Sequence, residues 1–446
     1  MNNLDILLVN TPSANPGMIY AFEKQGIPPL GLGYLATFLK QANYSVKILD
    51  LCMPYKTIDT LIDILNNNNV RVIGFSCTTE TYNVAVQLAN AVKEKNPDYI
   101  VVVGGPHVSF EYESALNSNV IDYVVLNEGE ISLKELCDYY LLGIGTLESL
   151  KGIAYKKNGI LVCADSQPFI TDLDILPFPD RELFEDISAY PMPATIITSR
   201  GCPGKCIFCS SSVLSGGRYR MRSVENVVME FEYLKSLGYD NIVILDDTMT
   251  VSKARLEVLC NELVSKNLQI SWHCESRVDA VDKDILVKMK TAGLTSIQFG
   301  VESGSQNVLD SMHKNISLKQ IRNVFEWCRD IGIRANTNMI IGLPSSDFQS
   351  IEDTIMLADE IISLGGAVSW SVCTPFPGTS LWKNPDDFGI EIVDSDLDHY
   401  DLYRPILNTK YMSAIDIRNA FYAAKKSTDI KMAAKEAEDK AAGASN

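Results

Sequence analysis

The sequence predicts an α/β protein: a doubly wound, Rossmann-like domain followed by a partial (β/α)6 barrel. Short apolar runs alternate with stretches of helical periodicity over residues 1–145, and the same alternation returns over residues 194–385. Residues 146–193 carry a hairpin pattern and then five prolines, which is typical of an extended linker between domains. A chain of 446 residues is also too long for one typical hydrophobic core.

The first region contains five short strand patterns that are apolar along nearly their whole length. This is typical of strands covered on both faces in a parallel sheet. The predicted strands are Asp5–Val9, Val46–Asp50, Val72–Ser76, Ile100–Val103 and Asp122–Leu126. The helices predicted between them are Leu30–Ala42, Thr57–Asn67, Glu80–Lys95 and Glu130–Leu141. Such a sheet binds ligands at the carboxyl ends of its strands.

The second region repeats the pattern six times. The predicted strands are Thr195–Thr198, Asn241–Leu245, Gln269–Cys274, Ser296–Gly300, Ala335–Ile341 and Val368–Val372. The predicted helices are Val224–Ser236, Lys253–Lys266, Lys283–Ala292, Leu318–Asp330 and Ser350–Leu364. Six strands form a barrel that is shorter than the closed eight-stranded form, and we expect its chemistry at the carboxyl ends of the strands.

Residues 386–446 are predicted to form a short C-terminal extension. Ser413–Lys426 has the pattern of an amphipathic helix. From Lys435 to Asn446 the chain is rich in Ala, Lys and Glu, and we expect a disordered tail there.

Composition excludes several classes of protein. A net charge of −17 without a run of Lys or Arg argues against a nucleic-acid-binding surface. No apolar run is long enough to span a membrane, and the N-terminus lacks the pattern of a signal peptide. Eleven Cys residues without such a signal indicate a reducing compartment, so we expect a cytoplasmic protein.

Cys202, Cys206 and Cys209 form the motif Cys-x3-Cys-x2-Cys directly after the first barrel strand. Thiolates are soft ligands suited to iron and zinc, and one short loop can direct three of them at one centre. A closed structural zinc site needs a fourth ligand, and neither a second Cys-x-x-Cys nor a paired His follows. Zinc with a distant fourth ligand stays open as the alternative.

This spacing resembles the signature of the radical S-adenosylmethionine (radical SAM) family. The resemblance implies that the three Cys residues hold three irons of a 4Fe–4S cluster and that the fourth iron is open to S-adenosylmethionine. It also implies a set of residues that contact S-adenosylmethionine: Phe208, Asp246, Asp247, Arg277, Glu302, Ser303, Ile340 and Gly342. For Arg277, a structural pairing with Asp279 is an equal alternative.

Four segments of the first region, in order, look like the cobalamin-binding domain that precedes many radical SAM enzymes. They are residues 27–36, 73–76, 104–107 and 127–130. The resemblance implies the following cobalamin contacts: Thr11, Pro12, Leu30, Gly31, Ser76, Thr78, Thr79, Gly104, Gly105, His107, Glu128 and Gly129. The Asp-x-His-x-x-Gly motif of domains that ligate cobalt is missing from residues 10–15, so we expect no protein histidine on the lower face of the cobalt. A vestigial domain without cobalamin is the alternative.

The resemblance implies an enzyme that cleaves S-adenosylmethionine reductively to a 5′-deoxyadenosyl radical and transfers a methyl group to a substrate carbon or phosphorus. The alternatives are a cyclase or rearrangement enzyme without methyl transfer, a radical SAM enzyme with an empty first domain, and a cobalamin-binding sensor. An electron donor such as flavodoxin or ferredoxin is implied as a partner. The substrate, whether small molecule, lipid or peptide, is not identified by the sequence.

Overall fold

The structure, a computed structural model, describes residues 2–15 and 26–443. It divides into two compact units. The first runs to Thr195 and also includes Asp396–Asp401, and the second comprises Ile196–Ser395 and the chain from Leu402. Each unit contains one of the two regions of alternating strands and helices, and residues 146–193 fall in the first unit.

The first unit is built on a seven-stranded sheet in the order β2-β1-β3-β4-β5-β6-β7. Its strands are β1 Asn2–Asn10, β2 Val46–Asp50, β3 Asn68–Ser76, β4 Ile100–Gly104, β5 Tyr123–Val125, β6 Ile153–Lys157 and β7 Ile160–Cys163. Strands β1 to β5 are parallel, as the near-continuous apolar runs predict. Apolar clusters cover both faces of this sheet.

The α-helices among the described residues of the first unit are α1 Leu30–Gln41, α2 Ile58–Asn67, α3 Tyr82–Lys95, α4 Pro106–Phe110, α5 Tyr112–Asn117 and α6 Glu130–Cys137. Thr57 begins α2 with a capping box, since its side chain accepts from the backbone of α2 while Thr60 reaches back to the Thr57 amide. The fourth predicted helix is interrupted, because Asp138–Leu142 continues α6 as a π-helical turn.

The hairpin between the two regions extends the first sheet. β6 pairs antiparallel with β5, and β7 pairs antiparallel with β6. The proline-rich segment after it also belongs to the first unit, where Tyr190 donates a hydrogen bond to the buried carboxylate of Asp50 over 2.7 Å. Tertiary contacts thus give this segment a fixed course that its proline content alone does not specify.

The second unit holds a six-stranded parallel sheet in the order β8-β11-β12-β13-β14-β15. This sequential order is the topology of a partial barrel. Its strands are β8 Thr195–Ile196, β11 Asn241–Ile244, β12 Ser271–Ser276, β13 Leu294–Glu302, β14 Arg334–Ile341 and β15 Ala367–Val372. The predicted first strand, Thr195–Thr198, is found only over Thr195–Ile196, and β9 Ser199–Arg200 follows it and pairs with β10 Arg220–Met221.

Helices connect these strands: α7 Ser211–Leu214, α8 Val224–Ser236, α9 Lys253–Lys266, α10 Lys283–Thr291, α11 Gln306–Ser311, α12 Leu318–Ile331 and α13 Phe348–Ser363. α12 begins at a capping box of Ser317 and Gln320 and ends at Gly332 in the left-handed conformation. Because parallel crossovers share one hand, the helices lie on one face of the sheet.

The two faces of the second sheet differ in chemistry. From Ile297 to Val301 every second side chain of β13 is apolar and buried, and Phe299 packs edge-on against Phe325 of α12 with ring centroids 5.7 Å apart. The residues that alternate with them, Ser296 and Gln298, are polar and only partly buried. The apolar side chains therefore face the helices, and the polar ones line the concave side of the partial barrel.

After the sheet come α14 Ser380–Lys383, the hairpin of β16 Ile390–Ile392 and β17 Leu407–Thr409, and α15 Ala414–Gly443. The helix continues past Lys435, where we expected the chain to be disordered; residues 444–446 lie outside the described part. Alanine and lysine have high helix propensity and extend a helix that packing has already nucleated. Among the described helices, none is both long and apolar enough to cross a bilayer.

Candidate functional site

The three motif cysteines lie in one loop that follows β9 at the carboxyl end of the second sheet. Ile207 anchors the loop, since its amide donates to the carbonyl of Met312 over 3.3 Å and its carbonyl accepts from Leu381. The flanking thiols of Cys202, Cys206 and Cys209 are partly buried, and none of them is in a disulfide. Packing thus holds the middle of the loop and leaves its thiols available as ligands.

The donor set fits an iron–sulfur cluster. A Cβ atom at Gly204 would lie 3.3 Å from Sγ of Cys202 and 3.9 Å from Sγ of Cys206, so a bare glycine keeps the space between these sulfurs clear. Among the described residues, no three His, Cys, Asp or Glu side chains are placed to share a single metal ion. In a multi-iron cluster each thiolate binds a different iron, so its sulfurs need not converge on one point.

Two cations stand beside Cys206. Nη1 of Arg277 lies 3.9 Å from the Cys206 sulfur, and Nη2 donates to the carbonyl of Lys314 over 2.6 Å. The same guanidinium makes a bidentate pair with Asp279 at 2.9 and 3.0 Å. The structural alternative for Arg277 is therefore present, and it fixes the guanidinium against the cysteine loop.

Lys314 is the functional candidate that the sequence analysis missed. Its Nζ donates to Oε1 of Glu302 over 2.7 Å, and both side chains are nearly buried. Burial opposes its charged form, but the negative charges of Glu302 and Cys206 outweigh this, and the pKa of Lys314 is raised. Lys314 lies in the turn between α11 and α12 and belongs to no spaced motif. The only sequence feature that could have indicated it is its closeness along the chain to the Gly300–Ser305 segment.

Glu302 occupies a strained position at the end of β13. Its φ of 71° lies in the left-handed region, which is uncommon for residues other than glycine and clusters at functional sites. A Cβ at Gly300 would lie 2.6 Å from Oε1 of Glu302 and 2.7 Å from Nζ of Lys314, so Gly300 makes room for this ion pair. Next along the chain, the Ser303 hydroxyl is buried against Thr354 of α13.

The adjacent carboxylates after β11 have different surroundings. Asp246 is buried and accepts three hydrogen bonds at 2.6 Å, from the amide and hydroxyl of Thr198 and the hydroxyl of Ser199. Burial raises its pKa, against the effect of those hydrogen bonds. Asp247 is exposed and accepts one hydrogen bond, from the amide of Gly201 at 3.1 Å. The geometry gives Asp246 a structural role and leaves Asp247 available to a ligand.

The remaining predicted contacts of S-adenosylmethionine lie in the same unit. Phe208 is half-buried within the cysteine loop, and Ile340 is half-buried on the concave side of β14. Gly342 follows β14 and packs against Ile417 of α15, so it serves the packing of the C-terminal helix.

The first unit gathers a second group of predicted residues at the carboxyl ends of β1, β3 and β4. The Thr11 amide donates to the Ser76 carbonyl at 3.3 Å, and Nδ1 of His107 lies 3.3 Å from the Thr79 hydroxyl. Gly105, with φ of 114°, lets the backbone of the β4 turn approach Cys77, because a Cβ there would lie 2.4 Å from the Cys77 carbonyl oxygen.

Two buried polar atoms in this group lack a partner within the described residues: Oγ1 of Thr11 and Nε2 of His107. Burial lowers the pKa of His107 to about 4, so its imidazole is neutral at pH 7. Because an unpaired buried polar atom is unfavourable, both atoms suit a bound ligand with hydrogen-bonding groups. This donor set fits the amide-rich periphery of cobalamin.

The other predicted cobalamin contacts are less closely gathered. Oε2 of Glu128 accepts from the amide of Ile170 in the proline-rich segment over 3.0 Å, which gives this carboxylate a structural partner. Gly129 packs on Leu35, while Gly31 is exposed on the first turn of α1. Of the further predicted residues, Pro12 and Thr78 follow β1 and β3, Gly104 is the last residue of β4, and Leu30 is the first residue of α1.

Two family models match this chain. The model of the B12-binding domain matches residues 24–137. The model of the radical SAM superfamily matches residues 196–358, which include the cysteine loop. The two matches fall in the two structural units in the order that the sequence motifs predict.

Similar proteins span most of this chain. An uncharacterized methyltransferase of Pyrococcus horikoshii, PH0819, is 34% identical over 80% of this chain and 78% of its own. The anaerobic magnesium-protoporphyrin IX monomethyl ester cyclase of Rubrivivax gelatinosus is 27% identical over 86% of this chain and 70% of its own.

A solved structure shares the fold of both units. It is the radical S-adenosylmethionine methyltransferase TsrM from Kitasatospora setae, with cobalamin and a [4Fe-4S] cluster bound. The TM-score is 0.71 at 17% identity, covering 94% of this chain and 85% of TsrM. At this identity the likeness concerns the fold.

Proposed function

We propose that this chain, which belongs to the cobalamin-dependent radical SAM family of enzymes, transfers a methyl group to a carbon or phosphorus atom of its substrate. When bound, a reduced 4Fe–4S cluster supplies the electron that cleaves S-adenosylmethionine, and cobalamin supplies the methyl group. The observation that carries the proposal is the loop of three thiols beside Arg277 and the Glu302–Lys314 pair.

The chain's own residues bind and orient the reactants. Cys202, Cys206 and Cys209 hold the cluster. Asp247 is our candidate for the α-ammonium group of S-adenosylmethionine, because it is the exposed carboxylate of its pair and accepts from Gly201 beside the cysteine loop. Arg277 is held by Asp279, and Glu302 is held by Lys314, so these charges are positioned before any ligand arrives.

In the first unit we propose that Thr11 and His107 bind cobalamin. Their unpartnered atoms support this assignment, as does the B12-binding family match. Since His107 lies after β4 and its Nδ1 faces Thr79, we infer that it contacts the periphery of cobalamin and does not ligate cobalt.

The setting of the reaction is also part of the proposal. Eleven cysteines, none in a disulfide, support a reducing compartment, and we place the protein in the cytoplasm. A small electron-transfer protein such as flavodoxin or ferredoxin is our candidate reductant, because cleavage of S-adenosylmethionine consumes one electron. The relatives do not fix the substrate.

The experiment is an anaerobic reconstitution with iron, sulfide and hydroxocobalamin, followed by incubation with methyl-labelled S-adenosylmethionine and a reductant. We expect cluster and cobalamin absorbance in the visible spectrum, 5′-deoxyadenosine, and label on the protein-bound cobalamin. Reductive cleavage also releases labelled methionine, so the result that would contradict methyl transfer is label in S-adenosylmethionine and methionine with none on cobalamin.

Cyclisation without methyl transfer is the second candidate, and the similarity to the Rubrivivax gelatinosus cyclase over 86% of this chain favours it. The same incubation with a cell extract as the source of substrate separates the two. A methyltransferase puts the label into a product, whereas a cyclase forms 5′-deoxyadenosine and leaves the product unlabelled.

A further inference from the structure

The concave side of the second unit carries a row of three polar side chains on neighbouring strands. We call Glu275, Gln298 and Asn336 the middle row. The register places Glu275 opposite Gln298, and Gln298 opposite Asn336. Adjacent strands of a sheet lie about 4.8 Å apart, so the three side chains form one continuous polar strip.

The rows on either side each contain a hydrogen bond between side chains of neighbouring strands. Nearer the amino ends of the strands, Nδ1 of His273 pairs with the Ser296 hydroxyl. Nearer the carboxyl ends, the Ser369 hydroxyl donates to Oδ1 of Asn338. These two hydrogen bonds each join side chains on neighbouring strands.

The side chains of the middle row make no such hydrogen bonds among the described residues. Oδ1 of Asn336 is shielded from solvent and has no hydrogen-bond partner among the described residues. The Glu275 carboxyl and the Gln298 amide also make no side-chain hydrogen bond to any residue that the structure describes. An amide left unpaired in a shielded position is unfavourable, so a partner from outside the chain would stabilise this arrangement.

The electrostatics of the strip restrict that partner. Glu275 is reached by solvent inside the concavity, but the surrounding protein raises the pKa of its carboxyl, with further contributions from the negative charges of Asp247 and Glu302. The row contains no cation. A phosphate or carboxylate group would therefore lie beside the Glu275 carboxyl with no cation in the row to bind it, and a hydrocarbon would leave three polar groups unpaired.

We propose that the middle row binds an uncharged group that carries adjacent hydrogen-bond donors and acceptors, such as a carboxamide or a nitrogen heterocycle. Amides of Asn and Gln pair with such edges through two parallel hydrogen bonds. The inference rests on the proposed function, because it describes the interior of the same radical SAM barrel. Two sources can present this chemistry: the adenine of S-adenosylmethionine or the substrate itself.

The experiment compares reconstituted wild-type protein, with its cluster oxidised, to Gln298→Leu, Asn336→Leu and the milder Asn336→Ser. Equilibrium dialysis measures the affinity for S-adenosylmethionine. Saturation-transfer NMR measures binding of nicotinamide, with nicotinate and toluene as the anionic and apolar counterparts of similar shape. Gln349→Leu, an exposed position on α13, is the control for general effects of the substitution.

If the strip binds adenine, affinity for S-adenosylmethionine falls about tenfold or more in the Leu variants and stays unchanged in Gln349→Leu. If it binds the substrate, that affinity is unchanged, while nicotinamide binds wild type and is lost in the Leu variants. Asn336→Ser gives the same direction should Asn336→Leu fail to fold, as judged by circular dichroism and cluster absorbance.

The inference is overturned if both probes bind the variants as they bind wild type, if nicotinate or toluene competes with nicotinamide, or if neither probe depends on the row. No turnover is needed for these measurements. Failure of methyl transfer with an intact strip would therefore count against the proposed function alone.

Discussion

Nζ of Lys314 lies 2.7 Å from Oε1 of Glu302, with the two side chains only 7% and 10% exposed. Glu302 ends β13 in a left-handed conformation, and Gly300 lacks the side chain that would displace either charge. The carbonyl of Lys314 in turn accepts from Arg277, whose guanidinium stands beside Cys206. One buried ion pair thus links the end of β13 to the cysteine loop through backbone and side chain.

Replacing Lys314 by Met is expected to lower the free energy of unfolding by about 3–5 kcal/mol, because it leaves the Glu302 carboxylate buried without a partner. Urea denaturation of the apoprotein, followed by circular dichroism, measures this. Lys253→Met is the matched control: its ion pair with Asp282 spans a similar 2.8 Å but is about half exposed, and such pairs contribute at most about 1 kcal/mol. Equal losses in the two variants would show that the Lys314 pair is not special.

Gly300→Ala tests the same site without removing a charge. The new Cβ would meet both partners of the ion pair at less than 3 Å, so we expect a loss of about 1–3 kcal/mol and weaker binding of S-adenosylmethionine. The measurement is urea denaturation together with equilibrium dialysis. A variant with wild-type stability and affinity would mean that the pair can shift without consequence.

The sequence predicted most of the fold because strands and helices of both sheets have clear periodicity. The helices Val224–Ser236 and Lys253–Lys266 are found at the predicted bounds, since serine caps begin both. The end of β8 at Ile196 was not predicted, because Thr198 and Ser199 donate hydrogen bonds to the buried carboxylate of Asp246, which lies 48 and 47 residues further along the chain. Long-range hydrogen bonds of this kind have no local pattern.

The candidate site was only partly predictable. Three cysteines in one loop form a local motif, so Cys202, Cys206 and Cys209 could be found from spacing. The Lys314–Glu302 pair depends on how the turn after α11 folds back onto β13, and the middle row depends on strand register; neither is written in a short segment. Whether Asp246 or Asp247 faces a ligand likewise depends on burial, which two adjacent aspartates do not reveal.

Cys206→Ala is expected to abolish cleavage of S-adenosylmethionine and to remove most of the visible cluster absorbance, while the chain stays folded. The physical reason is the loss of one of three thiolate ligands. Absorbance and 5′-deoxyadenosine formation after anaerobic reconstitution are the measurements. Cys163→Ala, which removes an exposed cysteine of the first unit, should leave both unchanged. Retained cleavage in Cys206→Ala would refute the cluster assignment.

The stability of the first unit should fall with pH between about 6.5 and 4 because of His107. Burial lowers its folded pKa to about 4 from the ordinary 6.5, so the unfolded chain binds the proton more tightly. The contribution of neutral His107 to the free energy of unfolding is therefore fully present above pH 6.5. It is lost as the pH falls, by about 3 kcal/mol in all.

His107→Gln should flatten this dependence, whereas His399→Gln, at a partly exposed histidine of the same unit, should not. Urea denaturation of the apoprotein at half-unit steps of pH gives the slopes. A wild-type slope in His107→Gln would assign the acid sensitivity to other groups. Loading with hydroxocobalamin should lower the folded pKa of His107 further if its Nε2 accepts a hydrogen bond from the cofactor, and the loss of stability with falling pH would then continue below pH 4.

The final prediction concerns the adjacent aspartates. The same substitution should lower stability at one of them and ligand affinity at the other. Asp246→Asn replaces a buried carboxylate that accepts three hydrogen bonds on its two oxygens, and the amide nitrogen that takes the place of one oxygen can accept none of them. We expect a loss of about 2–4 kcal/mol in the free energy of unfolding. Asp247→Asn is exposed and should change stability by less than about 0.5 kcal/mol while weakening the binding of S-adenosylmethionine about tenfold.

Urea denaturation and equilibrium dialysis on both variants separate the two roles. If Asp247→Asn keeps wild-type affinity and Asp246→Asn keeps wild-type stability, the assignment of the buried residue to structure and of the exposed one to the ligand is wrong. The reverse pattern, in which Asp246→Asn loses affinity at full stability, would place the α-ammonium group in a pocket that the Thr198 and Ser199 hydroxyls now occupy.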